Sequence, residues 1–194
     1  MENQNSNEKI VEVLYCQSEG KTWEAMKKLK DLTHYHPDNA FYQKLLGNMY
    51  FHMGLLDWAI DYYNQAIKID PEYIDAHYDL GVAYYHRGKV NAAIKAFQEV
   101  LSLDANYQAA HYRIGICYHH LGQLNVAIDH LSQSIAITPE YVMAHYHLGV
   151  IYYKQNEFDK AEIEFRRLLQ ENPEDTASAK YLDLIKKEEK VLLD

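Results

Sequence analysis

The triplet Ala-His-Tyr occurs at residues 76–78, 110–112 and 144–146, each occurrence 34 residues after the last. A fixed step of that length makes the chain an array of like units, because one short unit cannot bury its apolar face alone and must stack on its neighbours. The same step carries Gly47 to Gly81, Gly115 and Gly149, Tyr50 to Tyr84, Tyr118 and Tyr152, and Ala25 to Ala59, Ala93, Ala127 and Ala161. Pro37, Pro71, Pro139 and Pro173 fall on the same register, with Ala105 in the slot that lacks proline. They mark the boundaries.

Each period reads as two helices. His77, Leu80, Gly81 and Tyr84 follow i, i+3, i+4, i+7, and Ala93, Phe97 and Val100 follow i, i+4, i+7, one packing stripe per helix. Turns are predicted at Gly20, Gly54, Gly88, Gly122 and Asn156, where the chain leaves a helix through a left-handed conformation that Gly adopts freely and Asn tolerates best of the others. Gly81 lies mid-helix, where it costs about 1 kcal/mol against Ala, so a close approach of the second helix through Ala93 is expected there.

His77, Leu80, Gly81, Tyr84, Ala93 and Phe97, with Pro71 and Pro139 at the ends, resemble the Trp, Leu, Gly, Tyr, Ala, Phe and Pro pattern of the tetratricopeptide repeat family. The departure is His77, and likewise His111 and His145, where that family carries a large apolar residue. The resemblance implies an all-α, right-handed α-solenoid of helix-turn-helix repeats. The register divides residues 6–175 into five repeats, 6–39, 40–73, 74–107, 108–141 and 142–175, followed by a solvating helix at 176–194. The first repeat is degenerate, with Val13 in the glycine slot and Cys16 in the tyrosine slot. In the last helix Ala179, Leu182 and Ile185 are predicted to face inward, with Val191, Leu192 and Leu193 as a frayed tail or a small contact site.

Composition narrows the function. Nineteen Lys and Arg against 28 Asp and Glu leave a net charge of −9, which repels nucleic acid and anionic lipid. With no long apolar run and no leader-like start, the expectation is a cytoplasmic chain that neither spans nor binds a membrane. Cys16 and Cys117 match no metal or redox spacing and read as buried thiols in a reducing compartment. None of the 11 histidines is paired at i, i+4 on one helix face, and histidines one repeat apart sit on helices with axes about 8–10 Å apart. No metal or cofactor is expected. No Ser or Cys sits in a glycine-flanked elbow, so no enzyme is expected either.

Function is then binding, and the resemblance implies a concave groove lined by a second stripe on the first helix of each repeat. Its members are Lys44, Asn48, Phe51 and His52; Tyr78, Val82, Tyr85 and His86; Tyr112, Ile116, His119 and His120; and Tyr146, Val150, Tyr153 and Lys154. Two roles fit Tyr78, Tyr112 and Tyr146: anchoring a peptide, or stiffening contacts between adjacent repeats. Among these, Tyr112 is the expected energetic centre, and His52, His86 and His120 are expected to face solvent and make association pH dependent. Some family members clamp a terminal carboxylate, and Lys44, Asn48 and Arg113 match three of the five clamp positions. Asp79 and Ala109 replace the other two, and a carboxylate in place of Asn repels the ligand. Leu55, Trp58 and Tyr62 form a separate stripe that serves either as a second contact surface or as packing against the first repeat. The expected activity is a non-catalytic scaffold or adaptor holding a peptide segment of a protein partner; the alternative is a chaperone or escort masking a segment of a secreted or assembling client.

Overall fold

The computed structural model describes the backbone of residues 2–193 and the side chains of residues 8–188. Among the described residues all regular structure is α-helical, in helix pairs that follow the repeat. The chain divides into two compact units, Met1–Ala105 and Asn106–Asp194. The division falls at the one boundary without proline.

The first unit contains α1 (Glu2–Ser18), α2 (Thr22–Tyr35), α3 (Ala40–His52), α4 (Leu56–Ile69), α5 (Ile74–His86) and α6 (Val90–Leu103). Its core includes Val13, Cys16, Leu29, Leu46, Tyr63 and Leu80. The second unit contains α7 (Gln108–His120), α8 (Leu124–Ile137), α9 (Val142–Lys154), α10 (Phe158–Glu171) and α11 (Thr176–Leu193). There the buried side chains include Leu131, Leu148, Ile151 and Phe165.

The turn within each pair is set by hydrogen bonding. At Gly54 the backbone φ is +74°, and two terminal helix carbonyls are satisfied by Gly54 N–H to Phe51 O (2.9 Å) and Leu55 N–H to Tyr50 O (2.9 Å). This is the reversed-turn ending that a left-handed residue permits. Asn156, at φ 60°, makes the same pair of bonds through itself and Glu157, as the sequence predicts.

Close helix approach depends on the mid-helix glycines, and the atoms nearest to Gly81 belong to a ring one turn beyond Ala93. A Cβ on Gly81 would lie 2.6 Å from the Phe97 ring. Ala93 is fully buried, yet it is the ring one turn further on that occupies the space a side chain would need. The last helix needs a correction. Ala179 is exposed, and the inward stripe is Ser178, Leu182 and Ile185, spaced i, i+4, i+7 like an ordinary packed helix. Tyr181 joins it by stacking on Phe165, with centroids 4.7 Å apart. The tail residues Val191, Leu192 and Leu193 lie outside the described side chains.

Candidate functional site

Two of the histidines in place of a large apolar residue, His77 and His145, share a structural task. The His77 and His145 rings each place Nε2 2.8 Å from the carbonyl of the boundary proline six residues earlier, Pro71 and Pro139. In the second pair Gln43 Nε2 donates to Pro37 O at 3.3 Å. These nitrogens give the boundary-proline carbonyl a side-chain partner, and at Pro139 the Arg167 guanidinium donates to the same oxygen at 2.8 Å. A Pro followed six residues later by His or Gln is the signal in the sequence. His145 also turns Nδ1 to Glu164 at 2.5 Å.

On the first unit, α3 and α5 bring Lys44 to Asp79 at 3.0 Å. Asn48, with its amide nitrogen turned toward them, donates to Asp79 (3.2 Å) and to the Tyr63 hydroxyl (2.9 Å). Burial pushes the Asp79 carboxyl above its usual range despite Lys44. Desolvation opposes the Lys44 charge, but Asp79 outweighs it and holds the ammonium above its usual range. Two of the three matched clamp residues are thus committed to the chain's own carboxylate. Phe51 meets His86 edge-on at 5.5 Å, and Tyr78 leans on the core ring of Phe97 at 5.6 Å. Val82 and Tyr85 are half-buried, and His52 and His86 are exposed.

The second unit treats the same stripe differently. Tyr112 is only 8% exposed, held edge-on by Tyr141 at 5.0 Å and tilted against His147 at 5.8 Å. Val150 is 7% exposed and belongs to the core around Phe165. Both side chains are buried among packing partners, and for Tyr112 the contacts fit the second of its two roles, stiffening the junction of adjacent repeats. Ile116 is half-buried, and His120 is exposed. Tyr146 and Tyr153 contact Tyr181 of α11 at 6.3 and 5.4 Å. Lys154 Nζ approaches His119 Nε2 at 2.9 Å, and the His119 and His147 rings are 6.1 Å apart. Burial, with His119 and Lys154 nearby, pushes the His147 imidazole down to about 4.

Histidine convergence was not legible from helix spacing. Besides His119 with His147, the rings of His111 and His130 place their Nδ1 atoms 3.3 Å apart. Both pairs join residues of different helices, so an i, i+4 search passes over them. Among the described residues no group of three or more His, Cys, Asp or Glu is placed to hold a metal ion. Cys16 and Cys117 are free and buried, with burial pushing the Cys117 thiol up to about 11.

The remaining stripe splits from the core. Trp58 is 57% exposed and Leu55 is exposed as well. The Trp58 ring stacks on Tyr50 of its own helix pair at 5.9 Å, and Tyr50 stacks in turn on Tyr62 at 5.2 Å. The Trp58 indole thus stacks one face on its own helix pair and leaves more than half of its surface exposed.

Family models for the TPR repeat match residues 47–88 and 117–156, and models for the tetratricopeptide repeat match 74–107 and 142–175. The chain belongs to the tetratricopeptide repeat family. Members of this family generally mediate protein–protein interaction and are typically non-enzymatic, and this tetratricopeptide chain shares their all-α solenoid of helix pairs. A crystal structure of MamA is 26% identical over 84% of this chain and 95% of its own, with a TM-score of 0.78. MamA 41-end from Desulfovibrio magneticus RS-1 is 19% identical over 88% and 97%, with a TM-score of 0.80. YrrB, described as a TPR protein with an unusual peptide-binding site, is 20% identical over 89% of each chain, with a TM-score of 0.75. The last two are likenesses of fold alone. No curated protein sequence matches the chain. Among the described residues, no helix is long and apolar enough to cross a membrane.

Proposed function

We propose that this protein is a non-catalytic scaffold that holds a peptide segment of a protein partner on exposed first-helix faces, that of α3 and α5 in the first unit and that of α7 and α9 in the second, each a binding face by itself. The observation that supports this reading is that side chains of neighbouring first helices meet at the surface, Phe51 with His86 and Lys154 with His119. Behind them the mid-helix glycines close the core against a ring or, at Gly115, against Leu131. A surface fixed in this way loses little entropy on binding, so the ordering cost falls mainly on the peptide. The exposed Leu55 and Trp58 supply a second contact surface on the first unit.

Site-specific photo-crosslinking in the source cell tests this. Benzoylphenylalanine at positions 86 and 154 is expected to capture a partner peptide, and the same group at the exposed positions 95 and 166 on second helices is not. Capture confined to positions 95 and 166 would remove the first-helix faces from the mechanism. A crosslinker at position 58 reports separately on the second surface.

A further inference from the structure

The chain is acidic as a whole, yet α7 and α9 contain no Asp or Glu. They carry Arg113, Lys154 and the histidines His111, His119, His120, His145 and His147. The carboxylates of this unit sit elsewhere, among them Asp129 on α8, Glu162 and Glu164 on α10 and Asp183 on α11. An anion approaching α7 and α9 thus meets no acidic side chain on either helix, and local charge of one sign draws ligands of the other.

Within this face three cationisable groups converge. Lys154 spends its close hydrogen bond on a neutral imidazole, His119 Nε2 at 2.9 Å, and His147 packs beside His119 and over Tyr112. Among the described residues none of the three is ion-paired to a carboxylate. An ammonium bonded to an imidazole is a weak arrangement compared with an ammonium bonded to an oxyanion. Half-buried Ile116 and Tyr153 on the same two helices offer apolar surface for an aliphatic stem.

We infer that Lys154, His119 and His147 form a subsite for a carboxylate side chain of an acidic peptide segment lying along α7 and α9. The inference rests on the reading of these helices as a peptide-binding surface and adds the chemistry of what is bound. The charged groups felt by the two imidazoles are Lys154, His120 and each other. Arg113 lies over the Tyr112 ring, and the other titratable neighbours are the Tyr112 and Tyr146 hydroxyls. Burial and Lys154 hold His119 below its usual range as well. A bound carboxylate reverses that balance by favouring protonated imidazole, so binding takes up protons and tightens as pH falls.

The test is a titration of the full chain, carrying 15N-labelled histidine, with decamers of glutamate, glutamine and lysine and with inorganic phosphate, over a range from about pH 3 to about pH 8 that brackets the folded and unfolded imidazole midpoints. The glutamate decamer is expected to shift the His119 and His147 signals, raise their titration midpoints and bind about tenfold more tightly at pH 6 than at pH 8. Lys154→Gln is expected to weaken it about fivefold, and Lys95→Gln on α6 to leave it unchanged. His147→Gln assigns the signal. Equal binding of the glutamine and glutamate decamers on α7 and α9 would overturn the carboxylate subsite while leaving the peptide surface standing. Decamer-induced shifts confined to other helices would overturn both. Phosphate binding as tightly as the glutamate decamer would make this a small-anion site and also defeat the inference.

Discussion

The two units place their side chains on one register and spend them differently. In the first, Lys44 meets Asp79 and Phe51 meets His86. Two repeats later the same four positions are Tyr112 against His147 and His119 against Lys154. Backbone geometry decides which positions touch in both units, since the turns and mid-helix glycines recur. Side-chain identity decides the outcome: the first unit neutralises its cation with its own carboxylate, and the second leaves its cation beside neutral imidazoles. One scaffold thereby offers a self-satisfied face and an unsatisfied one.

The strongest way to break this comparison is through the shared core. Phe97 and Phe165 occupy equivalent places against Gly81 and Gly149 and are fully buried. Phe97→Ala and Phe165→Ala are each expected to cost about 3–5 kcal/mol, the range for removing a buried ring, read as midpoints of urea unfolding by circular dichroism. If one is tolerated at under about 1 kcal/mol, well below that range, the two cores are not equivalent.

A smaller effect separates the two lysines. Lys44→Met leaves Asp79, with 27% of its side chain exposed, without its partner, and breaking a partly buried pair is expected to cost about 1–3 kcal/mol. Lys154→Met removes a charge from beside an imidazole and is expected to change stability by less than about 0.5 kcal/mol. Equal losses from both would show that Lys154 is held by a structural partner and that the faces do not differ in charge balance. The double variant Lys44→Met, Asp79→Asn should recover part of the first loss.

The pH dependence sharpens the same contrast. His147 titrates at about 4 in the folded chain because it is buried near His119 and Lys154, against about 6.5 when unfolded. Between those values the unfolded state binds more protons, so stability is fully present above about pH 6.5 and is lost as pH falls toward 4. After discounting for solvent screening the loss is about 1–2 kcal/mol. His147→Gln is expected to flatten this part of a plot of melting temperature against pH. An unchanged slope in that variant would place the acid sensitivity elsewhere.

Much of this was legible beforehand because a 34-residue step fixes helix pairs, turns and the buried Ala and ring positions without knowledge of neighbours. What could not be read is which stripe residues the neighbours consume. Tyr112 and Tyr78 occupy the same repeat position, but Tyr112 is buried, against Tyr141 and His147, and Tyr78 is half-buried. His111 with His130 and His119 with His147 meet across helices at separations that no single-helix template scans. The inward face of α11 keeps the 34-residue step, since Ser178, Leu182 and Ile185 follow the buried Ala144, Leu148 and Ile151, but Ser178 reads as polar because the sequence does not show that Asp175 satisfies its hydroxyl.

The smallest expected effect lies at the turns, where the two units should behave alike. Gly88 has φ 80° and Asn156 has φ 60°, and each carries the same two backbone hydrogen bonds to the helix it ends. A left-handed residue other than Gly costs about 1 kcal/mol, and Asn, whose short polar side chain bonds locally, costs less. Asn156→Gly is therefore expected to change stability by only a few tenths of a kcal/mol, because easier access to positive φ is offset by a freer unfolded chain. Gly88→Asn should lose a similarly small amount, and Gly88→Ala about 1 kcal/mol, because alanine gains no local bond. Nothing lies within 4 Å of a Cβ on Gly88, so the cost of alanine there is backbone strain with no steric part. Differential scanning calorimetry of the three variants resolves the order, and an alanine at 88 as stable as glycine would mean that this turn does not depend on the left-handed conformation.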